Sequence, residues 1–409
     1  MEASRDFVYQ KFTEYYQDPS TVIPATTMPE QREFAYLMFK ERFMVRHRRY
    51  TEFKNFRAML AETVPSDVYH SCAYYENPDV DMEKKGWLGA DLVFDIDADH
   101  IPTNCDKIHD EFTCVKCGFS GKGLIPEICP CCEATKFESK TWPCELCIQS
   151  ARDETAKLLD ILENDFGFSQ DDLHVYFSGH RGYHVHIENE KVRTLDAMAR
   201  KEIVDYVMGL GIAILDKETN EPRRKRKASP KKFSLHNFGW NKRLKLGMIE
   251  FLKNATNEDL KSVGLKNKVL VNDKETIIKR AINEGKWESI KGVSLQTWLK
   301  LADYIRETQS SKIDTVVTTD IHRLIRMNGT LHGKTGLKKV ELQAKNLQLF
   351  DPFTRAVAFK KGTAKVLVSD APEFRMSGET LGPYKNQIVE LPVAAAVMLI
   401  CKRRAQVTN

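Results

Sequence analysis

Asp91-Leu92-Val93-Phe94-Asp95-Ile96-Asp97 carries the strongest single fold signal in this chain. Leu92, Phe94 and Ile96 alternate with Val93, Asp95 and Asp97, a period of two that predicts a strand. Successive strand side chains point to opposite faces, so Leu92, Phe94 and Ile96 bury together while Asp95 and Asp97 project from the other face. Two carboxylates held that close repel unless a cation or a proton sits between them. Oxygen-only donors suit Mg²⁺ or Mn²⁺. The blander alternative is a turn or a helix cap, where Asp-x-Asp is also common.

Composition sets the class around this strand. A chain of 409 residues has room for roughly two or three domains. With 42% hydrophobic and 29% charged residues it reads as an ordinary globular protein. No early apolar run resembles a signal peptide, and the late run at 391–400 is too short to span a bilayer. No membrane association is expected, and the location expected is the cytoplasm, or the nucleus in a eukaryote. The net charge of +5 favours an acidic partner only weakly. Ten cysteines without a secretory signal point to metal rather than to disulfides.

Downstream of the strand, Cys114-x2-Cys117 and Cys129-x2-Cys132 are separated by eleven residues. Four thiolates at this spacing specify a structural zinc ribbon. Cys105, His109, Cys144 and Cys147 remain, three thiols and an imidazole, the donor set of a second closed zinc shell. Cys131 is read as a spare thiol, with an exchange against Cys132 left open, and Cys72 and Cys401 as core residues. Closed shells leave no open coordination position, so neither zinc is expected to be catalytic.

A helix is predicted over 150–166, capped by Ser150 with Asp153 and ended by Gly167, with Leu158, Leu159 and Leu162 as its apolar stripe. His174 to Ser178 reads as a strand, 179–182 as a turn, and 183–187 as the returning strand. Ser178, Gly179, Arg181, Gly182 and His184 offer donors and close backbone approach to an anion such as phosphate, with a satisfied structural histidine as the alternative. Earlier, 71–76 reads as a strand. The run 44–50 sets Arg46, His47, Arg48 and Arg49 beside Tyr50, either a solvated face or a contact for nucleic acid. An amphipathic helix is expected over 195–210. The basic run 223–232 is a solvated linker or a nucleic-acid contact. Residues 233–310, Lys-rich and helical by pattern with Trp240, Trp287 and Trp298, read as an inserted helical subdomain. In 313–326 a strand end is followed by a helix opening near Thr318 or Thr319, with Asp320 in its first turn and Asp314 before it. Leu331-His332-Gly333-Lys334-Thr335-Gly336 lacks the full Walker spacing, but a Gly-flanked Lys makes a phosphate clamp or an ordinary turn.

In order, these residues resemble the catalytic small subunit of archaeal and eukaryotic DNA primase. The matches are Arg32-Glu33-Phe34, Asp95-Ile96-Asp97, the Cys105, His109, Cys144 and Cys147 set, Ser178-Gly179-x-Arg181-Gly182-x-His184, Leu331-His332-Gly333-Lys334-Thr335-Gly336 and Phe350-Asp351-Pro352-Phe353. They span most of the chain outside 223–310, and the His332-Gly333-Lys334 form is the more archaeal. The resemblance implies template-directed synthesis of short RNA primers, or DNA, from nucleoside triphosphates on single-stranded DNA, as a DNA-directed RNA polymerase of the nucleotidyltransferase class. It implies two Mg²⁺ or Mn²⁺ ions on Asp95, Asp97 and Asp314, with Asp320 as the fallback for the third. It places the triphosphate on Ser178, Gly179, Arg181, His184, His332 and Lys334, and a structural zinc on Cys105, His109, Cys144 and Cys147. The expected partner is a large subunit with an iron–sulfur domain, and Arg46, Arg48 and Arg49 are expected along the template path. The Cys114–Cys132 ribbon departs from the family pattern, being inserted within its zinc motif.

The fold expected is α+β, a central mixed sheet flanked by helices. The catalytic domain would run over 1–222 and 311–409, interrupted by 223–310, with a zinc-binding region at 104–148 that includes the ribbon at 112–136. Two rival functions remain: a primase-polymerase of the same superfamily acting in repair or extension, and a zinc-ribbon nucleic-acid-binding protein without activity.

Overall fold

The computed structural model describes residues 2–212, 237–265, 269–284 and 290–408. The class is α+β. The chain divides into two compact units. The first comprises Met1–Ala156, Phe168–Lys201 and Lys312–Asn409, the second Lys157–Gly167 and Glu202–Ser311.

In the first unit the Asp pair lies on the strand Leu92–Asp97, at the edge of a four-stranded sheet. Its neighbour is Gly182–Ile187, followed by Leu173–Phe177 and Val340–Leu342. Leu92, Phe94 and Ile96 are fully buried, which holds the opposite face, with Asp95 and Asp97, in a fixed register. A second four-stranded sheet runs in the order Leu324–Arg326, Asp67–Ser71, Phe34–Leu37 and Met44–Arg48. Its core is aromatic, with Phe34 5.0 Å from Phe56 and 5.3 Å from Tyr50 between ring centres. All of these pairings are antiparallel, so the single mixed sheet expected is instead two antiparallel sheets. Periodicity identifies a strand but carries no information about its neighbour's direction.

Three other expectations are corrected. The strand expected over 71–76 is two strands, Asp67–Ser71 and Ala73–Tyr75, parted where the buried Arg32 guanidinium takes the carbonyls of Ser71 and Cys72. The helix expected to start at Ser150 runs Glu145–Asn164. Ser150 lies inside it, its hydroxyl donating back to the Leu146 carbonyl at 2.9 Å, a bond that satisfies a mid-helix serine as well as a cap would. Leu158 and Leu162 are fully buried as its stripe. Residues 310–314 form no strand, and the helix that follows opens at Thr315.

The helix Val393–Cys401, buried continuously from Val393 to Leu399, follows the long strand Tyr384–Pro392 and anchors the C-terminal part of this unit. The second unit is helical around Trp240, Leu244, Met248, Leu252, Trp298, Leu301 and Ile305. Arg243 there bonds both Asp160 and Asp165. The basic run 223–232 and Trp287 lie outside the described residues. Among the described residues no helix is long and apolar enough to cross a membrane.

Candidate active site

In the ladder between Leu92–Asp97 and Gly182–Ile187, His184 stands opposite Asp95 and Gly182 opposite Asp97. His184 Nε2 is 3.6 Å from Asp95 Oδ1. His184 is buried, and its Nδ1 has no partner among the described residues. The two strands approach closely at Gly182. A methyl group there would lie 2.5 Å from the Ile96 carbonyl oxygen and 3.0 Å from Asp97 Cα, backbone atoms that cannot give way locally. Gly182→Ala is therefore expected to destabilise the protein by about 2 kcal/mol and to displace Asp97. Thermal unfolding together with nucleotide incorporation checks this, and unchanged values in both would contradict it.

The third carboxylate arrives from far along the chain. The Asp314 backbone N–H donates to the Asp95 carbonyl at 2.8 Å, using the sheet edge that Leu92–Asp97 leaves open. Asp314 caps the short helix Thr315–Thr319, its Oδ1 accepting from Val316 N at 2.9 Å. Asp320 sits at the far end of that helix, not in its first turn as expected, and accepts from His322 N. The helix starts earlier than its Thr- and Val-rich sequence implied because the Asp314 cap supplies the missing acceptor. Burial, then the charges of Asp97 and Asp314, push the Asp95 carboxyl up to about 7. Asp97 is also raised, by burial and then by Asp99. The half-buried Arg323 and the buried Lys339 oppose the shift at Asp95 without cancelling it. Asp95 and Asp97, which resist ionisation, together with the Asp314 carboxylate that acts on Asp95, are a hard-oxygen donor set short of positive charge, which fits a divalent cation.

The glycine hairpin lies beside this set. Ser178 Oγ accepts from His180 N at 3.3 Å and from Gly182 N at 3.2 Å, closing the turn. Gly179 has φ +89°, where a side chain would be strained, and a methyl would also meet His332 Cβ at 3.0 Å. Thr335 Oγ1 donates to the Gly179 carbonyl at 2.6 Å and docks the 332–336 turn onto the hairpin. Asp67 fixes the same turn, accepting from Gly333 N at 3.0 Å and pairing with Arg326 at 2.5 Å. Lys334 is exposed at its tip, and the His332 and His180 rings stack 5.3 Å apart.

Arg181 differs from the free donor expected. Its guanidinium is 1% exposed and is held by two carboxylates. Asp110 takes both terminal nitrogens, at 3.0 and 2.7 Å, and Asp99 takes Nε at 2.7 Å and also Nη2. Asp110 in turn contacts His109 Nδ1 at 2.9 Å. Asp99, Asp110, Arg323 and Lys339 went unnoticed in the sequence because none belongs to a motif and each acts on a residue distant in the chain.

The cysteines gather into two groups, each with its donor atoms within 4.8 Å of one another. Cys105, His109, Cys144 and Cys147 form one, and Cys114, Cys117, Cys129 and Cys132 the other. Either can hold a metal ion such as zinc. The second is carried on a three-stranded sheet of Ser120–Lys122, Glu111–Cys114 and Phe137–Lys140. Cys131 is exposed and belongs to neither group, and Cys72 is buried. On the strand Met44–Arg48, Arg46 pairs with the buried Glu33 at 3.0 Å. Arg48 and Arg49 are exposed and form no ion pair among the described residues.

A family model described as DNA primase small subunit matches residues 133–344. A protein of Nitrosopumilus maritimus named DNA primase small subunit PriS is 32% identical over 99% of both chains. Proteins of the same name from Cenarchaeum symbiosum and Archaeoglobus fulgidus are each 33% identical, over 96% and 97% of this chain and 96% of theirs. The chain belongs to the DNA primase small subunit family. As an archaeal-type primase small subunit it is a catalytic subunit that makes primers, an activity of the nucleotidyltransferase type.

Proposed function

We propose that this primase small subunit joins ribonucleoside triphosphates on a single-stranded DNA template by two-metal nucleotidyl transfer, acting as a DNA-directed RNA polymerase. The observation that carries this is the meeting of Asp95, Asp97 and Asp314 beside the hairpin, with the Asp95 carboxyl pushed up to about 7. These carboxylates would hold two Mg²⁺ or Mn²⁺ ions. When bound, such ions lower the pKa of the attacking 3′-hydroxyl and neutralise the leaving pyrophosphate. The 3′-oxygen bonds to the α-phosphorus as the bond to the bridging pyrophosphate oxygen breaks. His184 orients the Asp95 carboxylate from the neighbouring strand. Ser178, Gly179, His332 and Lys334 place the triphosphate in line. Arg181 keeps its buried tie to Asp110 and exchanges the half-exposed Asp99 for a phosphate oxygen.

Both cysteine groups would hold structural zinc, the first steadying the hairpin through His109, Asp110 and Arg181. The template runs past Arg46, Arg48 and Arg49, whose charge serves any sequence. The relatives' name, small subunit, supports a heterodimer with a large subunit, and the family resemblance gives that partner its iron–sulfur domain.

The test is incubation of the protein with single-stranded DNA lacking any 3′ end to extend, labelled ribonucleotides and Mn²⁺. Dinucleotides and short RNA are expected. Extension of an annealed primer with no new dinucleotide would sink this reading in favour of a primase-polymerase.

A further inference from the structure

A third segment reaches the two turns of the nucleotide site. Lys402 follows the buried helix Val393–Cys401, and its backbone N–H donates to the Met398 carbonyl at 2.9 Å, which fixes where its side chain leaves the helix. That side chain runs inward, and the residue is only 6% exposed. Nζ meets His180 Nε2 at 2.6 Å, and Thr141 Oγ1 contacts the same ring nitrogen at 3.1 Å. One shared acceptor leaves most of the ammonium's three donors unused. Among the described residues no carboxylate forms an ion pair with it.

The surrounding charges make this placement unfavourable in the protein alone. Arg181 and Lys334 both act on Lys402 as like charges, and Asp99, the carboxylate that favours its charge, already serves Arg181. Lys402 in turn acts as a like charge on His180 and His332. Five basic side chains thus converge from the hairpin, the 332–336 turn and the end of the last helix. Burying an ammonium without a counter-charge is costly, and a methionine would fill the same space without that cost. A polyanion entering between the two turns would offset the whole cluster.

We propose that Lys402 is a further substrate-binding residue, donating to a non-bridging oxygen of the polyphosphate of the incoming nucleoside triphosphate. This rests on the reading of the hairpin and the 332–336 turn as the triphosphate cradle. The same chemistry would suit a template phosphodiester, but Lys402 contacts His180 among groups that face the cradle, whereas the exposed Arg46 and Arg48 lie on the separate strand Met44–Arg48. The ammonium, depressed to about 7 mainly by burial, regains its full charge once a phosphate neutralises its neighbours.

The test is equilibrium titration of the full chain with ATP, AMP and a single-stranded oligonucleotide. Lys402→Met is expected to weaken ATP by about tenfold, the loss of one charge-assisted hydrogen bond, and to leave AMP and the oligonucleotide within about twofold. The KM for ATP should rise in step while kcat is kept, and Lys402→Arg should recover most of the affinity. Lys402→Met should not lower the melting temperature, since a buried, uncompensated charge is removed, and Lys402→Gln serves as a second folded variant. ATP affinity within about twofold of the parent in a folded variant would overturn the proposal. So would an equal loss for AMP, which marks a structural role, or a loss confined to the oligonucleotide, which marks a template contact. Lys334→Ala separates the two levels of the argument. If it weakens ATP while Lys402→Met does not, only the Lys402 assignment fails; if neither does, the cradle fails with it.

Discussion

Asp95→Asn is expected to abolish primer synthesis while raising the melting temperature of the metal-free protein at neutral pH. The two effects share one cause. Burial first, then Asp97 and Asp314, lift the Asp95 carboxyl to about 7 in the folded protein. In the unfolded chain it titrates near its ordinary value of about 3.9. A carboxyl raised on folding binds its proton more tightly in the native state. Its contribution to stability is therefore fully present below about pH 4 and is lost as the pH climbs to about 7. Asparagine keeps the shape and the hydrogen-bonding capacity without that loss. The variant's advantage should be absent near pH 4, largest above pH 7, and worth up to roughly ten degrees, from about 4 kcal/mol at ~2–4 °C per kcal/mol for a domain of this size class. Mn²⁺ reverses the order, because it stabilises the parent through three carboxylates and the variant much less. Incorporation should fall on the order of a thousandfold. Melting curves in chelator and in Mn²⁺ across this pH range check the account. A pH-independent difference, or equal stabilisation by Mn²⁺, would contradict it.

The second large effect is at the cysteine groups, and it should differ between them. Cys147 is fully buried at the start of the helix Glu145–Asn164, 3.5 Å from both Cys105 Sγ and His109 Nε2. His109 reaches Asp110, which holds Arg181 in the hairpin. Cys147→Ser is expected to lose one zinc per chain, to lower the melting temperature, and to raise the KM for nucleotide by about tenfold or more, as removal of a ligand-orienting contact does. Cys117, by contrast, is exposed, and its group sits on the small three-stranded sheet. Cys117→Ser should also lose one zinc but leave the KM close to that of the parent. Metal analysis of both variants beside their nucleotide kinetics checks this. A larger KM effect from Cys117→Ser would show that the wrong group supports the site.

Features set by neighbours in sequence are legible in the sequence, and features set between distant residues are not. The alternation in Leu92 to Asp97 decided which face carries the carboxylates, because a strand has only two faces. The Cys-x2-Cys spacings mark out the Cys114, Cys117, Cys129 and Cys132 group because a knuckle is built from neighbours in sequence, and Cys105, His109, Cys144 and Cys147 are what remains. Its place ahead of a helix marks Asp314 as free to be a ligand, but only the family resemblance joins it to the distant Asp pair, and the helix opens several residues earlier than expected. Thr315 to Thr319 is a β-branched run with little helical propensity, and its short helix depends on the Asp314 cap. Ser150 failed as a cap because a serine that bonds back to the carbonyl four residues earlier looks the same in sequence. Strand direction was misjudged because pairing partners lie far away in the chain. The tie of Arg181 to Asp99 and Asp110 was illegible for the same reason. Lys402, 222 residues from His180, carries no local pattern at all.

If Asp95, Asp97 and Asp314 together form the metal centre of nucleotidyl transfer, Mn²⁺ binding depends on Asp314 and not on Asp320. Mn²⁺ binding measured by electron paramagnetic resonance on the parent, Asp314→Ala and Asp320→Ala tests it most directly. The structure predicts that Asp314→Ala loses most of its bound Mn²⁺ and its primer synthesis, while Asp320→Ala, altered at the far end of the same short helix, keeps both. Retained Mn²⁺ binding in Asp314→Ala, or its loss in Asp320→Ala, would contradict the assignment.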